Sequence, residues 1–185
     1  MVSPLFAQSA SVAVAAAPAA PTSEILTADA DGRITLRAAR LETPIAFNGR
    51  LDDEIYRLVP PAGNFIQVDP DAGMPATEQT DVWVFFDADN VYVSARCWDS
   101  EPAREVANER RRDNQGIQNN DNFVVVLDTF YDHRNGYFFQ TNPVGGLRDQ
   151  QITDEGAANN VDWNAVWDAK VNRDDKGWKI GRAHV

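Results

Sequence analysis

The sequence predicts an all-β fold, an antiparallel β-sandwich of jelly-roll type with one or two short helical turns. Three observations carry that expectation. Short runs of alternating apolar and polar residues recur about every dozen positions, separated by Gly, Pro, Asn and Asp clusters. No stretch keeps the apolar spacing of a long amphipathic helix, which argues against a doubly wound α/β sheet. The acids divide into 20 Asp and 8 Glu, the bases into 14 Arg and 3 Lys. Asp favours turns by bonding its own backbone, whereas helices draw more on Glu and Lys.

The elements follow in order. Ile34-Thr35-Leu36-Arg37-Ala38 alternates as a half-buried strand. Asn48-Gly49 marks a turn, and Asp52 is placed to cap a short helix through about Leu58 that Pro60-Pro61 ends. Positions 80–86 and 91–97 form the clearest hairpin, turning across 87–90, and 101–112 suits one or two helical turns. Positions 123–127 are a continuous β-branched run, as a central strand buried on both faces would need. Strands at 136–141 and 147–153 flank Asn142-Pro143 and Gly145-Gly146. The strand 166–171 leads through the turn 174–177 to a return strand opening at Trp178. Alternation groups Trp167 with Ala169 and Val171, so Trp167 reads as core, as do Trp178 and Trp83. The single cysteine, Cys97, excludes an intrachain disulfide and a Cys-based zinc cage, and reads as a small buried residue.

The 185 residues fit one domain with a little left over. Positions 1–33 read as a signal remnant and a flexible Ala/Pro linker. No charged residue precedes Glu24, and Ala13-Val14-Ala15 is a small-x-small cleavage pattern. Export to the periplasm or the cell surface is the expectation that follows. No run reaches the roughly 18 apolar residues of a membrane span. The sandwich is expected over 34–179, cut off inside the strand that Trp178 opens. Positions 180–185 match the translation of a common sequencing-adapter oligonucleotide and read as a non-native tail, unpaired from Gly181, so His184 is not recruited as a ligand.

A net charge of -11 argues against a nucleic-acid binder and fits an anionic membrane surface poorly. Neutral or cationic ligands stay open. A Gly-rich phosphate loop, GxSxG, HExxH and an EF-hand loop are all absent from the sequence. His133 sits in a strand-end turn and makes a poor triad member, and with 28 acids a glycosidase-like carboxylate pair is neither indicated nor excluded. The tryptophans Trp98 and Trp163 stand apart because they fall where strands give way to polar loops. Trp163 lies between Asp162 and Asn164, one flat hydrophobe beside short polar side chains, as a saccharide's C–H face and hydroxyl rim require. Arg111 and Arg148 could donate planar forks to hydroxyls or to a carboxylate. Asp99, Glu101, Asp113 and Asp121 lie in loops near strands that should be neighbours, an oxygen-rich set suited to calcium.

Several of these residues resemble a known group. Phe47-Asn48-Gly49-Arg50-Leu51-Asp52-Asp53-Glu54 is similar to the "DGxLDExxW" opening of carbohydrate-binding module family nine, with Tyr56 where Trp is usual. Positions 91–99 resemble its second strand, 121–128 its "DxxxxxLD" strand, and Asn142-Pro143 and 163–168 also match. The resemblance covers about 34–179 and is closest to a variant at the front of bacterial proteins that continue into a domain of unknown function, read as an outer-membrane barrel. It implies a non-catalytic β-sandwich that takes part in polysaccharide breakdown beside hydrolases of O-glycosyl compounds, with bound cations and a sugar held between two tryptophans. Trp163 is the clamp residue it implies and Trp98 the weaker partner, with Asn142 alongside. The rival readings are a periplasmic interaction or gating domain of the barrel without sugar binding, and a glycoside hydrolase in its own right.

Overall fold

The computed structural model describes residues 26–28, 34–46 and 48–184. The segment read as a signal and most of the linker lie outside the described residues, as does Phe47. Within the expected linker, β1 (Leu26–Ala28) pairs antiparallel with β2 (Ile34–Leu36). The remaining strands form two sheets. One has the order β10-β11-β5-β4-β3, from β3 (Ala39–Arg40), β4 (Thr80–Phe86), β5 (Val91–Trp98), β10 (Trp167–Asp174) and β11 (Gly177–His184). The other has the order β6-β7-β8-β9, from β6 (Phe123–Leu127), β7 (Gly136–Thr141), β8 (Leu147–Thr153) and β9 (Ala158–Asn160). All pairings are antiparallel except β3 with β4. The all-β sandwich is therefore present.

Its core sits between the sheets. Val82, Val93, Ala95, Trp167, Ala169, Trp178 and Ile180 of the five-stranded sheet meet Phe139 of the other, with Phe123, Val125, Leu127 and Tyr137 packed around them. Period-two alternation sends the intervening residues outward. On the five-stranded sheet those include Trp83 and Phe85, which form a second buried cluster with Leu41. The segment from Ile45 to Val59 packs over it, and the Tyr56 ring meets Trp83 and Phe85 edge-on at 5.4 and 5.5 Å. The Tyr56 hydroxyl bonds Ser94 Oγ at 2.9 Å, which gives a reason for tyrosine at that place. Trp83, Trp167 and Trp178 are core, as their strand faces require.

Four expectations need correction. The run Phe123–Leu127 is an edge strand, with Val124 and Val126 exposed at 40% and 52% on its outer side. Helix α1 spans Ile55–Leu58 with Glu54 at its N-cap, not Asp52; Asp53 instead accepts the Ala46 N–H at 3.2 Å. Positions 101–112 hold one helical turn as expected, the 3-10 turn Pro102–Arg104, but further 3-10 turns at Gln115–Asn119 and Asp154–Gly156 exceed the one or two short helical turns that the sequence predicts. Nor is the chain unpaired from Gly181, because β11 runs on to His184 between β10 and β5. The β10–β11 turn depends on Gly177, whose φ is +116° and whose missing Cβ would lie 2.2 Å from the Cys97 carbonyl oxygen.

Candidate functional site

Two surfaces gather the polar residues that the sequence singles out. The first is a cleft of about 480 Å³ where β5 leaves the sheet, lined by Trp98, Asp99, Glu101, Glu105, Asp121 and Trp178 among others. Trp98 is 38% exposed. Its ring is already engaged, with the Arg96 guanidinium 4.4 Å from the centroid and Nε1 donating to Asp81 at 2.8 Å. The Glu105 side chain is buried and ion-paired to Arg173; desolvation raises its pKa, Arg173 opposes the rise, and Asp121 and Asp99 add to it. Asp99, Glu101 and Asp121 thus share the cleft. Asp113 does not, since it accepts the Asp149 N–H at 3.3 Å and pairs with Arg112. Among the described residues no three His, Cys, Asp or Glu side chains converge closely enough to hold a metal ion.

The second surface is the outer face of the four-stranded sheet. The register sets Val124 opposite Gln140 and Gln140 opposite Arg148, then Val126 opposite Phe138 and Phe138 opposite Gln150. Gln140 donates through Nε2 to Asn122 Oδ1 at 3.0 Å. Arg148 donates through Nη1 to Gln140 Oε1 at 3.1 Å and through Nη2 to Gln150 Oε1 at 2.8 Å. Its guanidinium carbon lies 5.2 Å from the Phe138 ring centroid. The result is a row of linked amides and one cation beside two exposed valines. Gln140, Arg148 and Gln150 are only 3%, 8% and 8% exposed, so this face presents the edge of a largely buried polar row next to apolar surface, a combination of the kind that a sugar ring uses.

The other expected residues are elsewhere. Trp163 is half-buried on the inner side of this same sheet, stacked on Tyr137 with centroids 4.6 Å apart and 26° between planes, and edge-on to Phe139 at 6.1 Å. It faces away from Arg148. Its neighbours Asp162 and Asn164 are exposed; the Asp162 N–H donates to Asn160 Oδ1, and Asn164 Nδ2 donates to the Asp162 carbonyl oxygen, both within the turn. Asn142 is fully buried. Its amide donates to the Glu109 carbonyl oxygen at 2.7 Å and to Asn120 Oδ1 at 2.9 Å, while its oxygen accepts the Gly146 N–H at 2.7 Å. Those bonds tie the β7–β8 turn to the 105–120 segment, so this side chain is an internal brace. Arg111 is exposed and chelates Glu109 through Nε and Nη2, which with the Arg111 N–H holds the Glu109 carboxyl down to about 2. Of the expected sugar contacts, then, Arg148 alone joins the outer face, and Trp98 lies in the acidic cleft.

Asn122, Phe138, Gln140 and Gln150, which the sequence reading does not single out, are brought beside Arg148 by the fold. The signal was there: in 136–141 and 147–153, Phe138, Gln140, Arg148 and Gln150 all fall out of phase with the core residues Phe139 and Leu147.

Sheet order, register and core define an antiparallel two-sheet β-sandwich. No protein-family model matches the sequence, and no curated protein matches it. Among solved structures, a carbohydrate-binding module of family 9 from Caldicellulosiruptor kristjanssonii in complex with cellotriose matches with a TM-score of 0.51 and 14% identity, over 80% of this chain and 65% of that one. The module from the same organism in complex with glucose matches with a TM-score of 0.52 and 14% identity, over 80% and 67%. This chain therefore spans about two thirds of their length, and its fold is like theirs.

Proposed function

We propose that this protein is a non-catalytic carbohydrate-binding domain and that the outer face of β6–β9 takes the saccharide. The observation that carries the reading is the hydrogen-bonded row Asn122–Gln140–Arg148–Gln150, set beside the exposed Val124 and Val126. The likeness in fold to modules held with cellotriose and glucose supports it. A role in polysaccharide breakdown within an exported protein fits the same picture, the module holding the polymer while another domain cuts it. A glycan-array screen, repeated with Val124→Glu, is the direct test. That variant puts a charged, longer side chain on an exposed edge-strand position, so the fold should persist while binding is lost. Binding unchanged by Val124→Glu would place the ligand elsewhere.

One observation favours a second reading, an interaction domain without sugar binding. Phe65, Ile66, Val68 and Met74 are exposed on one loop, which is braced by the Gln67 N–H to Met74 oxygen bond at 2.7 Å. A domain silent on every glycan would move that reading to the front.

A further inference from the structure

Among the described residues, Arg96 and Arg148 are buried, and they are treated differently. Arg96 is 4% exposed and meets Asp174 through two parallel bonds of 2.9 and 2.7 Å. Arg148 is 8% exposed, and among the described residues no carboxylate lies within ion-pair distance of it. Its neighbours Gln140 and Gln150 are neutral, and so is the ring of Phe138 beneath it. Asp149, the next residue, points through the other side of the sheet and is committed to Arg112 at 2.6 Å.

A guanidinium withdrawn from water without a counter-charge is costly, and removing one partner of a buried pair has the same cost. Its two bonds use two of five N–H groups, which leaves three donors and the whole positive charge. The planar fork is shaped for the two oxygens of a carboxylate. Gln140 and Gln150, fixed on either side, hold the fork's direction in advance. We propose that Arg148 is the recognition point for a carboxylate carried by the saccharide, so that the domain prefers uronate sugars over neutral ones. The inference rests on the outer face being the sugar site.

The net charge of -11 works against anions at long range, but at about 0.15 M salt that field is screened beyond roughly 8 Å while a largely desolvated contact is screened much less. A short oligosaccharide with a single uronate is therefore a better fit than a dense polyanion.

The test uses isothermal titration in about 0.15 M salt with three ligands: a glucuronate-bearing oligosaccharide, its methyl ester, and the neutral parent. Esterification removes the ligand's charge and leaves the protein untouched, so the comparison does not depend on any variant folding. The acid should bind roughly tenfold to a hundredfold more tightly than the ester, the range of one charge-assisted contact. Arg148→Gln should bring acid and ester to within about twofold, in protein whose thermal melt confirms that it is folded. If acid, ester and parent bind alike to the wild type, the uronate preference is wrong and the sugar-binding reading stands. If none binds, both fall.

Discussion

Replacing Trp163 by alanine separates the two roles that this residue could have. A tryptophan buries roughly 150–250 Å² when fully enclosed, and Trp163 is half-buried, so about 100 Å² of contact is lost. At about 25 cal/mol per Å² this is about 2.5 kcal/mol. The stack on Tyr137 and the edge contact with Phe139 add about 0.5–1.5 kcal/mol. Partial collapse of the site brings the net cost to about 3 kcal/mol. For a chain of this size that corresponds to a fall in Tm of about 6–12 °C. Thermal and urea melts of Trp163→Ala, with Val166→Ala at a well-exposed neighbouring position as control, measure it directly. Trp163→Phe should recover much of the loss, and where it is folded it should bind saccharide as the wild type does. A Trp163→Ala protein that melts within 2 °C of wild type yet loses tenfold or more in sugar affinity would refute this reasoning and restore the residue as a clamp.

Three further outcomes follow from the packing. Asp174→Asn strands the Arg96 guanidinium, whose side chain is 5% exposed, and should cost about 3 kcal/mol in a urea melt at pH 7. Bonds from Arg96 first, then Lys179, hold the Asp174 carboxyl well below the usual carboxylate range. Its stabilising share is therefore present above the unfolded value of about 3.9 and fades as pH falls through the folded one, so the gap between wild type and variant should narrow in acid melts. Gly177→Ala forces a side chain into a left-handed turn and onto the Cys97 carbonyl oxygen, and should destabilise by about 2 kcal/mol or more by urea unfolding. Burial pushes the Cys97 thiol up to about 12, with Arg96 and Thr80 opposing. Cys97 is partly exposed in the cleft, so at pH 8 a thiol reagent should reach it but label it far more slowly in the folded domain than in the urea-unfolded chain, as labelling kinetics across urea concentrations would show.

Much of the fold was legible because strand alternation is local. The β4–β5 hairpin, β7, β8 and the core assignments of Trp83, Trp167 and Trp178 all follow from period two and turn residues. What failed depended on neighbours that the sequence does not name. Phe123–Leu127 reads as central because every residue is apolar, yet its place at the edge is fixed by which strand pairs with it. The site suffered more. Trp163 looks like a loop residue among polar groups, and only the fold shows Tyr137 beneath it. Asn142 looks available, but it spends its bonds on Glu109, Asn120 and Gly146, which are distant or turned toward it by the chain's path. Arg148 stands out in the sequence for its fork, whereas its partners Gln140 and Gln150 emerge from the register between β7 and β8. Residues 180–184, read as a foreign tail, continue β11 between β10 and β5, a pairing that alternation alone does not reveal.

The central claim is that saccharide binds the outer face of the four-stranded sheet. Amide chemical-shift mapping of the 15N-labelled protein, titrated with a glucuronate-bearing oligosaccharide and with cellotriose, tests it most directly. The account expects the largest shifts at Asn122, Val124, Phe138, Gln140, Arg148 and Gln150, with those around Trp98 and Asp99 small. Shifts centred on the Trp98 cleft, or on the Trp163 turn with the outer face silent, would contradict it.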